Sequence, residues 1–154
     1  AGPIKGTYPW QDDAVQILHN NKPDIIVASP RHGTRERIEW YVIQGKSEFE
    51  RSREWERHYL TLAAEQGVVM FWLPGETQHI YTNPYGGMSR EELGMILGWY
   101  KYNKNIKFCI GTDGNFRKFD AIENDISVYA PEVQIKTSLI ETCDEALKIL
   151  RERI

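Results

Sequence analysis

The sequence predicts an α/β domain in which a parallel sheet is covered by helices on both faces. Short apolar runs alternate along the chain with longer stretches whose apolar residues recur at three and four. Two of those runs, Asp24-Ile25-Ile26-Val27-Ala28-Ser29 and Val68-Val69-Met70-Phe71-Trp72-Leu73, are nearly continuous in hydrophobicity, the mark of strands buried on both faces. The stretches between runs are long enough to be helical crossovers, which parallel strands require and which are right-handed as a rule.

Taken in order, Ala1-Gly2-Pro3-Ile4-Lys5-Gly6 reads as a turn with no strand in front of it. Either residues precede Ala1, or the sheet is one strand shorter than expected. A first helix opens near Tyr8 and carries Trp10, Ala14, Ile17 and Leu18 to about Asn21. The run Asp24 to Ser29 is the next expected strand, stopped by Pro30. A basic loop follows, and the pattern leaves Ile38 to Ile43 open between a short strand and a helical turn.

From Ser47 to about Gln66 the pattern is a long amphipathic helix, with Phe49, Trp55, Tyr59, Leu62 and Ala63 as its apolar stripe and Gly67 at its end. Val68 to Leu73 is a strand, and the loop Pro74 to Gly87 is long enough to suggest a lid or pocket wall. A helix from Arg90 to about Tyr102, a strand Ile106 to Ile110 and a helix from about Phe116 to Tyr129 follow. Last come a strand Val133 to Lys136 and a helix Leu139 to Arg153, with Leu139, Cys143, Leu147, Leu150 and Ile154 on one face.

At 154 residues the chain is expected to be one domain, residues 1–154. A composition 41% hydrophobic and 27% charged is that of a soluble globular protein, and a net charge of -3 does not favour polymeric nucleic acid. No apolar run approaches the roughly 20 residues of a spanning helix. Without a basic-plus-apolar leader, a cytoplasmic location is expected, with Cys109 and Cys143 as buried free thiols.

The chemistry is expected around Gly86-Gly87-Met88-Ser89-Arg90-Glu91-Glu92-Leu93-Gly94, where a buried strand and a loop lead to a helix start. Open α/β sheets place sites at such corners. Ser89-x-x-Glu92 also has the form of a capping box, as does Ser138-x-x-Glu141 on the last helix, where no chemistry is expected. The two readings differ in where the Glu92 carboxylate points: into a cleft, or back to the Ser89 N–H.

These residues resemble the nucleoside 2-deoxyribosyltransferase-like superfamily, whose members transfer or hydrolyse N-glycosidic bonds. Ala1-Gly2-Pro3-Ile4 resembles the family's first turn, Trp55-Glu56 its central helix, Gly67 to Trp72 its strand, and Ser89 to Gly94 its E-L-G signature. The resemblance covers most of the chain and implies a flavodoxin-like three-layer sandwich with a five-stranded parallel sheet, or four strands if the first is absent. It implies a homodimer or higher assembly, and neither metal nor organic cofactor.

Carried over by position, Glu92 falls on the family's nucleophile, attacking the anomeric carbon as the base departs and giving a covalent glycosyl-enzyme. The helix amino terminus would help keep it ionised. The family's second acid is an aspartate on the central helix; Glu56 is the nearest match, and Arg53 or Arg57 could instead pair with it on a solvated face.

For the substrate, the resemblance implies contacts from Gly2, Ile4 and Lys5 in the first turn and from Gly87, Met88 and Ser89. Arg31, His32 and Arg35 follow a strand end and could hold a 5′-phosphate, or form a solvated basic loop. Trp10 and Tyr85 are candidates for stacking on a base, against a core or interface role for each; His79 has no evident partner. Where transferases of the group carry an acidic base-recognition residue, this chain has Asn83-Pro84-Tyr85-Gly86-Gly87, so base recognition must come from elsewhere.

The expected substrate is a (deoxy)nucleoside or its 5′-monophosphate, with a free nucleobase as second partner. The alternatives are a non-catalytic nucleotide-sensing or oligomer-forming module, and a glycohydrolase of nicotinamide dinucleotide.

Overall fold

The computed structural model describes residues 1–31 and 46–153. His32, Arg35, the stretch Ile38 to Ile43 and Ile154 lie outside them. The described residues form an α/β domain of five helices and a three-stranded parallel sheet. In chain order these are α1 (Trp10–Asn21), α2 (Glu48–Gln66), β1 (Val69–Leu73), α3 (Gly87–Tyr102), β2 (Phe108–Thr112), α4 (Phe119–Tyr129), β3 (Ile135–Lys136) and α5 (Leu139–Glu152).

The sheet order is β1-β2-β3, with Val69 opposite Phe108, Leu73 opposite Thr112 and Ile110 opposite Ile135. Alternation along β1 sorts its side chains to two faces. Val69, Phe71 and Leu73 join Ala64 of α2, Leu93, Ile96, Leu97 and Tyr100 of α3, and Ile122 and Ile126 of α4. Met70 and Trp72 meet Trp10, Ala14 and Leu18 of α1 and Cys143 and Leu147 of α5 on the other. Helices thus cover both faces, as the alternation predicts.

Close approach of α5 to the sheet depends on Gly111. A β-carbon there would lie 2.0 Å from Thr142 Oγ1 and 3.0 Å from the Trp72 ring, so no larger residue fits. Cys109 and Cys143 are buried free thiols, in agreement with expectation.

Three expectations are corrected. Only three strands form among the described residues, and Asp24 to Ser29 is not one of them. Ile25 and Val27 pack against the α1–α5 cluster, but Ile26 is 91% exposed and residues 25–29 join no ladder. The opposite edge of β1 instead receives Ala1. Its nitrogen donates to Met70 O at 2.6 Å and its carbonyl accepts from Trp72 N at 3.1 Å, the pattern of one parallel rung at Phe71.

Second, the stripe on α2 is only partly buried. Phe49 is 72% exposed and Leu62 is exposed, while Trp55 and Tyr59 are half-buried with ring centres 4.7 Å apart; Ala64 alone is fully enclosed. Third, the last strand shrinks from Val133–Lys136 to Ile135–Lys136. The other boundaries fall within about three residues of their predicted places, the ordinary scatter of element ends.

No described helix is long and apolar enough to cross a membrane.

Candidate active site

The carboxyl end of β1 is held by side chains from its neighbours. Thr112 Oγ1 donates to Leu73 O at 2.8 Å, the Tyr85 hydroxyl donates to Pro74 O at 2.7 Å, and the Asp113 carboxylate accepts from Gly75 N at 2.9 and 3.0 Å. Gly6 O accepts from the N–H groups of Thr77 and Gln78, closing the first turn against the long loop. These bonds satisfy backbone groups that a chain leaving a buried strand must otherwise expose.

The helix that follows starts earlier than its S-x-x-E pattern suggests. Gly86 takes a left-handed conformation, φ 67°, that a side chain would disfavour, and it caps α3 without a side-chain bond. Ser89 therefore lies inside the first turn and is buried, and Glu92 lies in the second turn, half-buried. No Ser89–Glu92 bond forms, and the capping reading of Glu92 is overturned.

The contrast within the chain is direct. On α5, Ser138 is the N-cap: its Oγ accepts from Glu141 N at 3.2 Å and donates to the Glu141 carboxylate at 3.0 Å. On α2, Ser47 and Glu50 form a complete capping box, with Ser47 N donating to Glu50 Oε2 at 2.8 Å. Sequence reading placed the start of α2 there without identifying the box; its S-x-x-E spacing was the available signal.

Glu92 has electrostatic company from two helices, α2 and α3. Burial raises its carboxyl above the ordinary glutamate value; Glu56 adds to that rise, Arg53 opposes it and Glu91 adds to it. Glu92 sits beyond the unpaired N–H groups of the first turn, and burial is the largest influence on its carboxyl.

Arg53 is the link between the helices. It donates to Glu56 Oε2 at 2.7 Å and lies 3.8 Å from Glu91 Oε1, with only 18% of its side chain exposed. The pairing of Glu56 with Arg53 weighed in the sequence is thus present, but at a partly buried junction rather than a solvated face. The structure accordingly brings Glu92, Glu56 and Arg53 into one electrostatic group.

The remaining candidates are more scattered. Gly2 is wedged against Trp72 O and the Trp10 ring, Ile4 is half-buried, and Lys5 is exposed in the turn. Gly87 and Met88 are exposed on the first turn of α3. Arg31 is exposed and pairs with Asp12 at 3.2 Å, so an anion there would share it with a carboxylate. Trp10 and Tyr85 take packing roles: Trp10 is in the core and donates to Pro3 O, and the Tyr85 ring lies 5.7 Å from Phe116. His79, for which the sequence offered no partner, pairs with Glu76 at 2.9 Å. Among the described residues no cluster of histidine, cysteine, aspartate or glutamate has the makings of a metal site.

Compared with family models, curated proteins and solved structures, the chain gives no match.

Proposed function

We propose that this chain cleaves or transfers at the N-glycosidic bond of a (deoxy)nucleoside or its 5′-monophosphate, with Glu92 as nucleophile. One observation carries the reading: the Glu92 carboxylate is half-buried and uncapped, and it sits in the field of a second carboxylate and an arginine from a different helix.

In the first step a Glu92 oxygen bonds to C1′ as the C1′–N bond breaks, and the bonding pair leaves with the base. Partial desolvation favours this, since a less hydrated carboxylate is less stabilised as a free anion. Glu56 moves the proton that the departing base takes up, and Arg53 positions Glu56. In the second step water, or the nitrogen of another base, attacks C1′ and releases Glu92. The incoming nucleophile gives up its proton to Glu56. Lys5, Gly87, Met88 and Ser89 are proposed to contact the sugar, together with Gly2 and Ile4; a homodimer is proposed as the working assembly.

Incubation with a panel of deoxynucleosides and their monophosphates, with and without a second free base, tests this. Base release with exchange indicates transfer, and release without exchange indicates hydrolysis. No release from any member rejects the proposal.

A non-catalytic nucleotide-sensing module is the second reading. The observation favouring it is the Arg53–Glu56 pair, which leaves Glu56 as a structural partner of α2. It predicts ligand-dependent thermal stabilisation without turnover.

A further inference from the structure

Trp10 and Tyr85, the two aromatic candidates for stacking on a base, are both engaged in packing. Phe49, in the first turn of α2, is 72% exposed. A single exposed apolar side chain is ordinary on a protein surface. What sets Phe49 apart is the direction in which it faces and its place along the helix.

At roughly 100° per residue, Phe49, Arg53, Glu56, Leu60 and Ala63 fall within one strip of α2 about 80° wide. Leu60 and Ala63 pack on the sheet-facing cluster, so this strip is the one turned toward the sheet. Two contacts place the helix along the strands. Ala64 O accepts from Lys107 N at the amino end of β2, and Arg53 reaches Glu91 in the second turn of α3, beyond the carboxyl end of β1. The helix α2 therefore runs against the strands, and its amino end overshoots them. Phe49 lies fifteen residues before Ala64, roughly 22 Å along the axis, whereas the five residues of β1 rise about 16 Å. Phe49 thus faces as Leu60 does, but past the end of the sheet, where its ring stays exposed.

Its neighbours there are the charges of the site. Arg53 is one turn inward, and side chains four apart on a helix stand roughly 5–6 Å apart at Cβ. Glu56 is a further turn in, bonded to Arg53 at 2.7 Å. On α3 the same step outward leads from Glu92 to Met88, which is 47% exposed and to which the sugar is assigned above. Attack by Glu92 from α3 requires the base to leave from the opposite side of C1′, which is the side of α2. We infer that Phe49 is the platform on which the nucleobase stacks, its ring carrying the face of the base while Glu56, deeper on the same strip, reaches a base nitrogen. This inference rests on the reading of the site as a nucleoside pocket. Every base has a face to stack, so such a platform holds a base without the acidic residue that Asn83 to Gly87 lack.

The test measures binding, not turnover. Calorimetry with the whole chain titrates adenine, hypoxanthine, cytosine and thymine, which carry no sugar and cannot turn over. At least one is expected to bind, and Phe49→Ala is expected to weaken that binding about tenfold or more, the usual loss for one stacked base. Phe49→Tyr keeps the ring and is expected to keep the affinity; the position is exposed, so neither change disturbs the core. No binding of any base by the wild type, equal binding by the wild type and Phe49→Ala, or a loss in Phe49→Tyr as large as in Phe49→Ala overturns the inference. Base release judges the catalytic reading separately. Bases held through Phe49, in a protein that releases none from any deoxynucleoside, sink that reading and leave the platform standing. Base release by Phe49→Ala at the wild-type KM does the reverse.

Discussion

Arg53 donates to the Glu56 carboxylate at 2.7 Å across one turn of α2, and the same guanidinium faces Glu91 on α3. A pair three residues apart on an exposed helix contributes a few tenths of a kcal/mol. Here the arginine is largely covered and lies in the field of Glu92, so its removal has electrostatic consequences for the site. Arg53→Ala removes a cation that holds Glu92 down, and the acid limb of the pH profile for base release is expected to move upward. Arg53→Lys, which keeps the charge, is expected to restore the limb. A purely structural role would lower activity at every pH without moving it.

The raised Glu92 carboxyl also fixes a sign for stability. The folded chain holds the proton to higher pH than the unfolded chain, whose glutamate releases it near 4.5. By linkage, stability is greatest below that value and falls as pH rises through the folded value. Glu92→Gln is expected to flatten this decline, as measured by denaturant melts across the acid range. Glu141 has the opposite sign: hydrogen bonds from Ser138 and Thr137 lower its carboxyl, so its contribution is present above 4.5 and is lost as pH falls.

The three S-x-x-E motifs make a controlled set. Ser47→Ala and Ser138→Ala each remove an N-cap and are expected to lower stability by about 1 kcal/mol. Ser89→Ala removes no cap and is expected to cost less than either of these. Equal losses at all three would restore the capping role of Ser89.

Gly111→Ala places a methyl group against Thr142 Oγ1 and the Trp72 ring. Because a buried hydroxyl and an indole ring crowd the same spot, thermal melts are expected to show a loss of about 1–3 kcal/mol, the usual range for an overpacked core.

The alternation of elements was legible because each element carries its own period. β1 and β2 follow apolar runs, and the α5 stripe of Cys143 and Leu147 lies in the core as predicted. What failed depends on partners distant in sequence. Ile25-Ile26-Val27 has strong strand propensity, but a strand exists only where a neighbour offers its edge, and β1 offers that edge to Ala1. Phe49 and Leu62 fit a helical stripe, yet the sheet-facing cluster receives only Leu60, Ala63 and Ala64 from α2. At the site, Glu92 and Glu56 were nameable by position. The role of Arg53 was not, because its reach to Glu91 on another helix appears only when α2 and α3 are packed. The Ser89–Glu92 ambiguity was insoluble locally, since the left-handed Gly86 three residues earlier decides where α3 begins.

The central claim is that Glu92 bonds to the sugar. Its most direct test is mass spectrometry on protein quenched during reaction with the deoxynucleoside that releases base fastest, followed by digestion and weighing of the peptide that contains Glu92. The account predicts a pentosyl increment on that peptide, absent in Glu92→Gln, together with a loss of base release on the order of a thousandfold or more. Undiminished base release by Glu92→Gln, or the sugar found on a different residue, would contradict it.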